Sequence, residues 1–188
     1  MNQTELIDHI KSIAGVLRRD TFVKAATLAI ERRFATIIET GGFRGIDGDG
    51  RSTEVLAAIA RFNGGTFWSV DNNPVHQERA KKRVPPDATV QYCAGDSVTF
   101  LSSSFPDGIG FLYLDSYDYD ANKPLPSQIH QVAELGAAFG DLRADAIVLL
   151  DDCNIPGGGK ALLSDLFLKE RGFSLVADHY QKLFVRNP

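Results

Sequence analysis

Apolar residues recur at helical spacing near the start of the chain, through Leu6, Ile7, Ile10, Ile13, Ala14 and Leu17. A second helical stretch runs from about Phe22 to Arg33, so the spacing predicts two helices ahead of any strand. Beyond residue 33 the pattern alternates. "ATIIET" reads as a strand, "STEVLAAIARF" as a helix, "GTFWSVD" as a strand, "PVHQERAKKRV" as a helix and "TVQYCAGD" as a strand. The apolar runs "IGFLYLD" and "AIVLLDD" follow, separated by the helix-like "PSQIHQVAELGAAFG". Near-continuous apolar strands alternating with helices suit a parallel sheet covered on both faces. After the helix "KALLSDLFLKER", the strands "FSLVADH" and "KLFVR" lie too close together for a helix between them, and must pair antiparallel. The expectation is α/β: one doubly wound domain on a mostly parallel sheet of seven strands, closed by a C-terminal antiparallel hairpin. Residues 1–33 form helices that pack on or cap the core, and residues 34–188 form the main domain.

The acidic residues sharpen the picture. In open α/β sheets, ligands bind beyond the carboxyl ends of the strands, where the strand order reverses. The five apolar strands here end in Glu39, Asp71, Asp96, Asp115 and the pair Asp151 and Asp152. For any one of them a helix cap or first-turn acid is the plain reading, most of all for Asp96, which precedes Ser97 and a short helical run. Together they predict an anionic rim around one crevice.

That rim bears on the glycine-rich stretch "GGFRGIDGDGRST". From Gly45 to Ser52 it reads G-x-x-x-x-G-R-S, one residue short of a phosphate-binding P-loop. Asp47 and Asp49 lie inside the loop, and Arg51 stands where lysine would reach the phosphates. Like charges several ångströms apart cost on the order of 1 to 4 kcal/mol near a surface, which disfavours a polyphosphate. A dinucleotide turn fares better, because Asp71 follows Gly50 at about the 20-residue interval of a ribose-binding acid. Yet Thr53 takes the place of the third small residue. A ligand with a ribose and no phosphates fits best.

Composition excludes other classes. The 188 residues are 44% hydrophobic, enough for one full core. Twenty Lys and Arg against 24 Asp and Glu give a net charge of −4, with no basic run to track nucleic acid. No segment has the roughly 20 apolar residues of a membrane span, and the chain reads as soluble and cytoplasmic. Cys93 and Cys153 sit in apolar contexts without C-x-x-C spacing and read as reduced core thiols.

At this point the residues resemble a known family. "IIETGGFRGIDGDGRSTEVLA" is similar to motif I of class I S-adenosylmethionine-dependent methyltransferases, E-x-G-x-G-x-G before a helix, with Glu39, Gly41 and Gly50 in the acidic and glycine positions and Gly42 to Asp49 as a long loop. "FWSVDNNP", "CAGDS" and "FLYLDSYDYD" resemble the later motifs, so the likeness covers nearly everything after residue 33. "LYLDSYDYD" with "IVLLDDCN" resembles the small metal-dependent O-methyltransferases of macrocin and catechol type. The resemblance implies a Rossmann-like fold and S-adenosylmethionine as cofactor. It implies that Glu39 and the Gly41 loop face the methionine and ribose, that Asp71 accepts from the ribose hydroxyls, and that Asp96 takes the adenine amine. Gly42, Ser52, Thr53, Asn72, Ser97 and Asp115 complete the implied cofactor set.

The same resemblance places Mg²⁺ at Asp115, Asp151 and Asp152, where it would lower the pKa of an acceptor hydroxyl on a small molecule. Cys153 stands where catechol-type relatives have Asn, and Asn154 is a weaker ligand candidate. Without metal, Asp118 or His130 would serve as general base beside Asp115, although His130 among polar neighbours also reads as a solvated helix residue. Tyr117 and Tyr119 would wall the acceptor pocket or pack on the sheet edge; His179, in the hairpin turn, reads as structural or solvated. The leading helices offer a lid, a homodimer surface or simple cover. Two other functions stay open: an NAD-linked oxidoreductase, and a noncatalytic cofactor-binding scaffold.

Overall fold

The computed structural model of the chain describes residues 1–45 and 50–186. Helix α1 (Gln3–Ile13) starts at a reciprocal cap: Glu5 N–H donates to Asn2 Oδ1 at 3.0 Å, and Asn2 N–H donates to Glu5 Oε2 at 2.8 Å. Its buried stripe is Leu6 and Ile10. Helix α2 (Arg19–Glu31) buries Phe22, Ala25, Ala26, Ala29 and Ile30. Then come β1 (Thr36–Thr40), α3 (Ser52–Asn63), β2 (Thr66–Asp71), α4 (Pro74–Arg83), β3 (Val90–Ala94), α5 (Ser97–Leu101) and β4 (Ile109–Leu114). Helix α6 (Leu125–Ala138), β5 (Leu142–Leu150), α7 (Leu162–Lys169), β6 (Phe173–Asp178) and β7 (Lys182–Arg186) complete the chain.

The seven strands form one sheet in the order β3-β2-β1-β4-β5-β7-β6. Neighbours from β3 to β5 are parallel, and β7 runs antiparallel to both β5 and β6. Every residue of β1 and β4 is buried, which explains their continuous apolar runs. Side chains alternate between faces. Ile37, Phe111, Tyr113 and Ile147 meet α1, α2 and α3, in one cluster with Leu6, Phe22 and Val55. Ile38, Leu112, Leu114 and Val148 meet the opposite layer, with Leu135 of α6 and Leu168 of α7.

One boundary differs from the sequence reading. Strand β5 begins at Leu142, ahead of the apolar run at Ala146, and pairs with β4 across a register shift between Ile109 and Phe111. Arg143 and Asp145 conceal this extension because they bond to each other at 2.9 Å beyond the covered part of the sheet. Among the described residues no helix is long and apolar enough to cross a membrane.

Helices α1 and α2 share the sheet's core, and Phe22 is fully buried with its ring centroid 5.6 Å from that of Tyr113. Phe22→Ala should lower stability by about 3–5 kcal/mol in urea denaturation, with a single transition. A loss below about 1 kcal/mol would mean that the leading helices fold apart from the sheet.

Candidate active site

The strand order reverses between β1 and β4, and a cavity of about 390 Å³ opens there. Its walls come from the ends of β1 to β4: Gly41, Asp71, Asn72, Asp96, Ser97 and Tyr117 among others. Gly41 must be glycine. Its φ is +81°, and a Cβ would lie 2.5 Å from the Asp115 carbonyl oxygen. Asp71 ties the loop to β2, since its Oδ2 accepts from Gly42 N–H at 2.9 Å and its Oδ1 from Asn73 N–H at 2.7 Å. Asp96 caps α5 through Oδ1, which accepts from both the amide and the hydroxyl of Thr99 at 2.8 Å. The capping reading of Asp96 is therefore realised, on a residue that also lines the cavity.

Asp118 and His130 line the same cavity. His130 Nε2 lies 3.1 Å from Ser97 Oγ and 3.5 Å from the buried Glu134 carboxylate, and its ring faces Tyr117 with centroids 5.4 Å apart. It is neither free nor simply solvated. The Glu134 carboxylate raises the His130 pKa above the ordinary imidazole value, against the effect of burial. Asp118 is exposed and pairs with Arg44.

Six of the expected cofactor residues do not line the cavity: Glu39, Gly42, Gly50, Ser52, Thr53 and Asp115. Glu39 is fully buried beneath the cavity, where its two oxygens accept from the hydroxyls of Ser52, Thr53 (2.8 Å) and Ser69 (2.9 Å). Glu39, Ser52 and Thr53 thus bind one another and fix the start of α3 against β1 and β2. Gly50 is absent from the walls as well; a Cβ there would collide with the Arg18 side chain. Asp47 and Asp49 lie outside the described residues.

The expected single anionic rim is instead divided. Asp115, Asp151 and Asp152 do converge, with one oxygen of each within 4.8 Å of the others. Their faces are occupied by the chain's own cations. Arg18 grips Asp151 with Nε at 2.9 and 3.0 Å and Nη2 at 2.6 Å. Lys160 Nζ lies 2.9 Å from Asp115 Oδ1 and 2.9 Å from Asp152 Oδ2, on a side chain 1% exposed. Tyr180 donates its hydroxyl to Asp152 and lies under the Arg18 guanidinium, 4.6 Å from ring centroid to carbon. Tyr113 donates to Asp115 Oδ2 at 3.3 Å.

These neighbours set the charges. Burial, with Asp115 alongside, pushes the Asp151 carboxyl up to about 7 against the pull of Arg18. Against burial, Lys160 and Tyr180 hold Asp152 below the usual carboxylate range. Burial would lower the Lys160 pKa, but Asp115 and Asp152 raise it above the ordinary lysine value. Lys160 fills the space between Asp115 and Asp152 that an ion would take, and Arg18 spans both oxygens of Asp151. The donor set as it stands does not fit Mg²⁺. Asn154 faces away, donating to Asp178 and the His179 carbonyl.

Arg18 and Lys160 are the residues that sequence reasoning missed. Arg18 lies 133 residues from Asp151, and no local pattern announces the pairing. Lys160 carried a signal in "PGGGK": Gly157, Gly158 and Gly159 all have positive φ, between +68° and +89°, and together they turn the lysine inward.

No established family matches the chain by sequence, and no curated protein does. The fold is nevertheless shared with solved methyltransferases, a Rossmann-like sheet with the reversed strand β7. The O-methyltransferase NovP superimposes with a TM-score of 0.69 at 15% identity, over 93% of this chain and 81% of NovP. MycE, a methyltransferase of the mycinamycin biosynthetic pathway solved with Mg and SAH, gives 0.63 at 17% identity, over 97% of this chain and 54% of MycE. The chain thus spans about half of MycE. The N-methyltransferase NodS from Bradyrhizobium japonicum WM9, in complex with S-adenosyl-L-homocysteine, gives 0.61 at 12%, over 93% of this chain and 89% of NodS.

Glu39 gives the site a pH signature. Burial raises its carboxyl from an ordinary 4.5 to about 8, although the hydroxyls of Ser52, Thr53 and Ser69 pull the other way. The folded state then holds a proton that the unfolded chain has released, so stability falls as pH rises between about 4.5 and 8. Relative to Glu39→Gln, the wild type should lose on the order of 2–4 kcal/mol between pH 4.5 and pH 8.5. Urea denaturation of both proteins across that range checks it; parallel stability curves would show that Glu39 stays ionised in the fold.

Proposed function

We propose that the chain transfers the methyl group of S-adenosylmethionine to a hydroxyl of a small molecule. The observation that carries this reading is the cavity at the strand-order switch, walled by Gly41, Asp71, Asn72, Asp96 and Ser97, in a fold shared with methyltransferases. Asp71 would accept from ribose hydroxyls chiefly through Oδ1, which takes only the Asn73 N–H, since Oδ2 already has the Gly42 N–H and His76 Nδ1 at 3.3 Å. Asp96 offers Oδ2 to the adenine amine, because both Thr99 bonds fall on Oδ1. An acidic wall suits a sulfonium and an ammonium. It is a poor host for a pyrophosphate, and the Gly42 amide that could have bound one is spent on Asp71.

Asp118 and His130 share a wall with the cofactor residues and bound the acceptor side. Transfer requires the acceptor oxygen in line with the sulfonium, about 3 to 3.5 Å from the methyl carbon. The carbon–sulfur bond breaks, the carbon–oxygen bond forms, and S-adenosylhomocysteine leaves as a neutral thioether. The hydroxyl proton goes to Asp118 or to the neutral form of His130, with Asp115 at the edge of the same loop. Tyr117, half-exposed at φ +59°, lies against His130 and screens it.

Calorimetric titration of the full chain tests the cofactor assignment. S-adenosylhomocysteine should bind and NAD should not, and Asp71→Ala should weaken binding by about 10- to 100-fold, the range of a hydrogen bond to a charged group. Circular dichroism would confirm that the variant is folded. Binding of NAD in place of S-adenosylhomocysteine would select the oxidoreductase; no binding of either at millimolar concentration would remove the assignment of this cavity to a nucleoside cofactor.

A further inference from the structure

We propose that Lys160 is a tethered cation standing where a divalent metal would otherwise sit, so that the carboxylates of Asp115, Asp151 and Asp152 take up no metal ion. The inference deepens the methyltransferase reading by settling which cation serves that acidic cluster, and it rests on the geometry of the cluster itself.

Three carboxylates brought within 4.8 Å of one another need positive charge between them. A metal would supply it from solution. Here Arg18 and Lys160 supply it from within the chain, as two cations against three carboxylates. Lys160 bridges Asp115 and Asp152 at equal distances of 2.9 Å, as a bound ion would bridge two ligands. Its backbone is equally constrained. Lys160 N–H donates to the Asp152 carbonyl at 2.9 Å, and Gln128 of α6 donates to the Gly159 carbonyl at 2.9 Å. Gly159 has φ +68°, and a Cβ there would run into the Cys153 carbonyl oxygen. Tyr119 donates to the Pro156 carbonyl at 2.8 Å and accepts from Gly159 N–H at 3.3 Å, holding the turn from the β4 side. The ammonium therefore sits on a built support.

Asp151 is closed to a metal for a separate reason. The Arg18 fork takes both of its oxygens, and its side chain has no exposed surface. Any ion would be left with Asp115 and Asp152, which are only 23% and 20% exposed and already share Lys160. Two carboxylates can hold a hydrated Mg²⁺, so it is the Lys160 ammonium between them, and not the number of donors, that keeps the ion out.

The test titrates EDTA-treated full-length protein with Mn²⁺, following free Mn²⁺ by electron paramagnetic resonance, with Mg²⁺ titrated by calorimetry in parallel. No cofactor or acceptor is present, so a failure here is distinct from a failure of the methyltransferase reading. The wild type should take up neither ion to 1 mM or so, while Lys160→Ala, which opens the space between Asp115 and Asp152, should bind one Mn²⁺ at least tenfold more tightly. Lys160→Arg, which keeps the charge, should behave as wild type. If Lys160→Ala does not fold by circular dichroism, Lys160→Gln takes its place. Stoichiometric uptake by the wild type that Asp152→Asn abolishes would overturn the proposal, as would a folded Lys160→Ala or Lys160→Gln with no gain in affinity.

Discussion

The buried contact between Arg18 and Asp151 is the constraint on which the remaining structure leans. It joins the start of α2 to the carboxyl end of β5, and its surroundings extend the bond in both directions. Thr21 donates to Gln181, Gln181 donates to Tyr113 at 3.4 Å, and Tyr113 reaches Asp115. The leading helices are therefore anchored twice, by apolar packing of Leu6, Ile10 and Phe22 and by a polar chain that ends at Asp115, just beyond β4. A buried ion pair adds little net stability over a well-packed apolar pair, whereas leaving one member alone costs about 3–5 kcal/mol. Such a contact fixes which surfaces meet. The terminal helices can be seated only where the Asp151 carboxylate awaits a guanidinium.

Much of the architecture was legible because its signals are local. The apolar strands of β1 and β4 are buried on both faces, so composition alone marks them, and the short gap before β7 forces the antiparallel hairpin. The start of β5 was not legible, because Arg143 and Asp145 extend it beyond the covered sheet with polar side chains. In the site, the strand-end rule brought Asp71 and Asp96 to one cavity, since position at a carboxyl edge follows directly from topology. The same rule misplaced Glu39. It stands one residue inside β1, where alternation turns its side chain into the layer below, and three hydroxyls from α3 and β2 receive it there.

Charge compensation was the least legible property. A carboxylate is visible in a sequence, but the cation that answers it can come from any distance along the chain. Arg18 arrives from the first helical pair and Lys160 from a turn after β5, so a row of acids that suggests an open anionic crevice becomes two populations. Asp71, Asp96 and Asp118 line the cavity, Asp118 there paired with Arg44; Asp115, Asp151 and Asp152 are enclosed by Arg18 and Lys160.

The glycine run ahead of Lys160 gives this arrangement an unusual dependence. Three consecutive residues with positive φ carry the chain back over Cys153, and the last of them has no room for a side chain. Backbone handedness therefore decides where a charge resides. A methyl group added at Gly159 would open the turn and let the ammonium swing toward solvent, so a purely steric lesion would be felt by the site as the withdrawal of a positive ion.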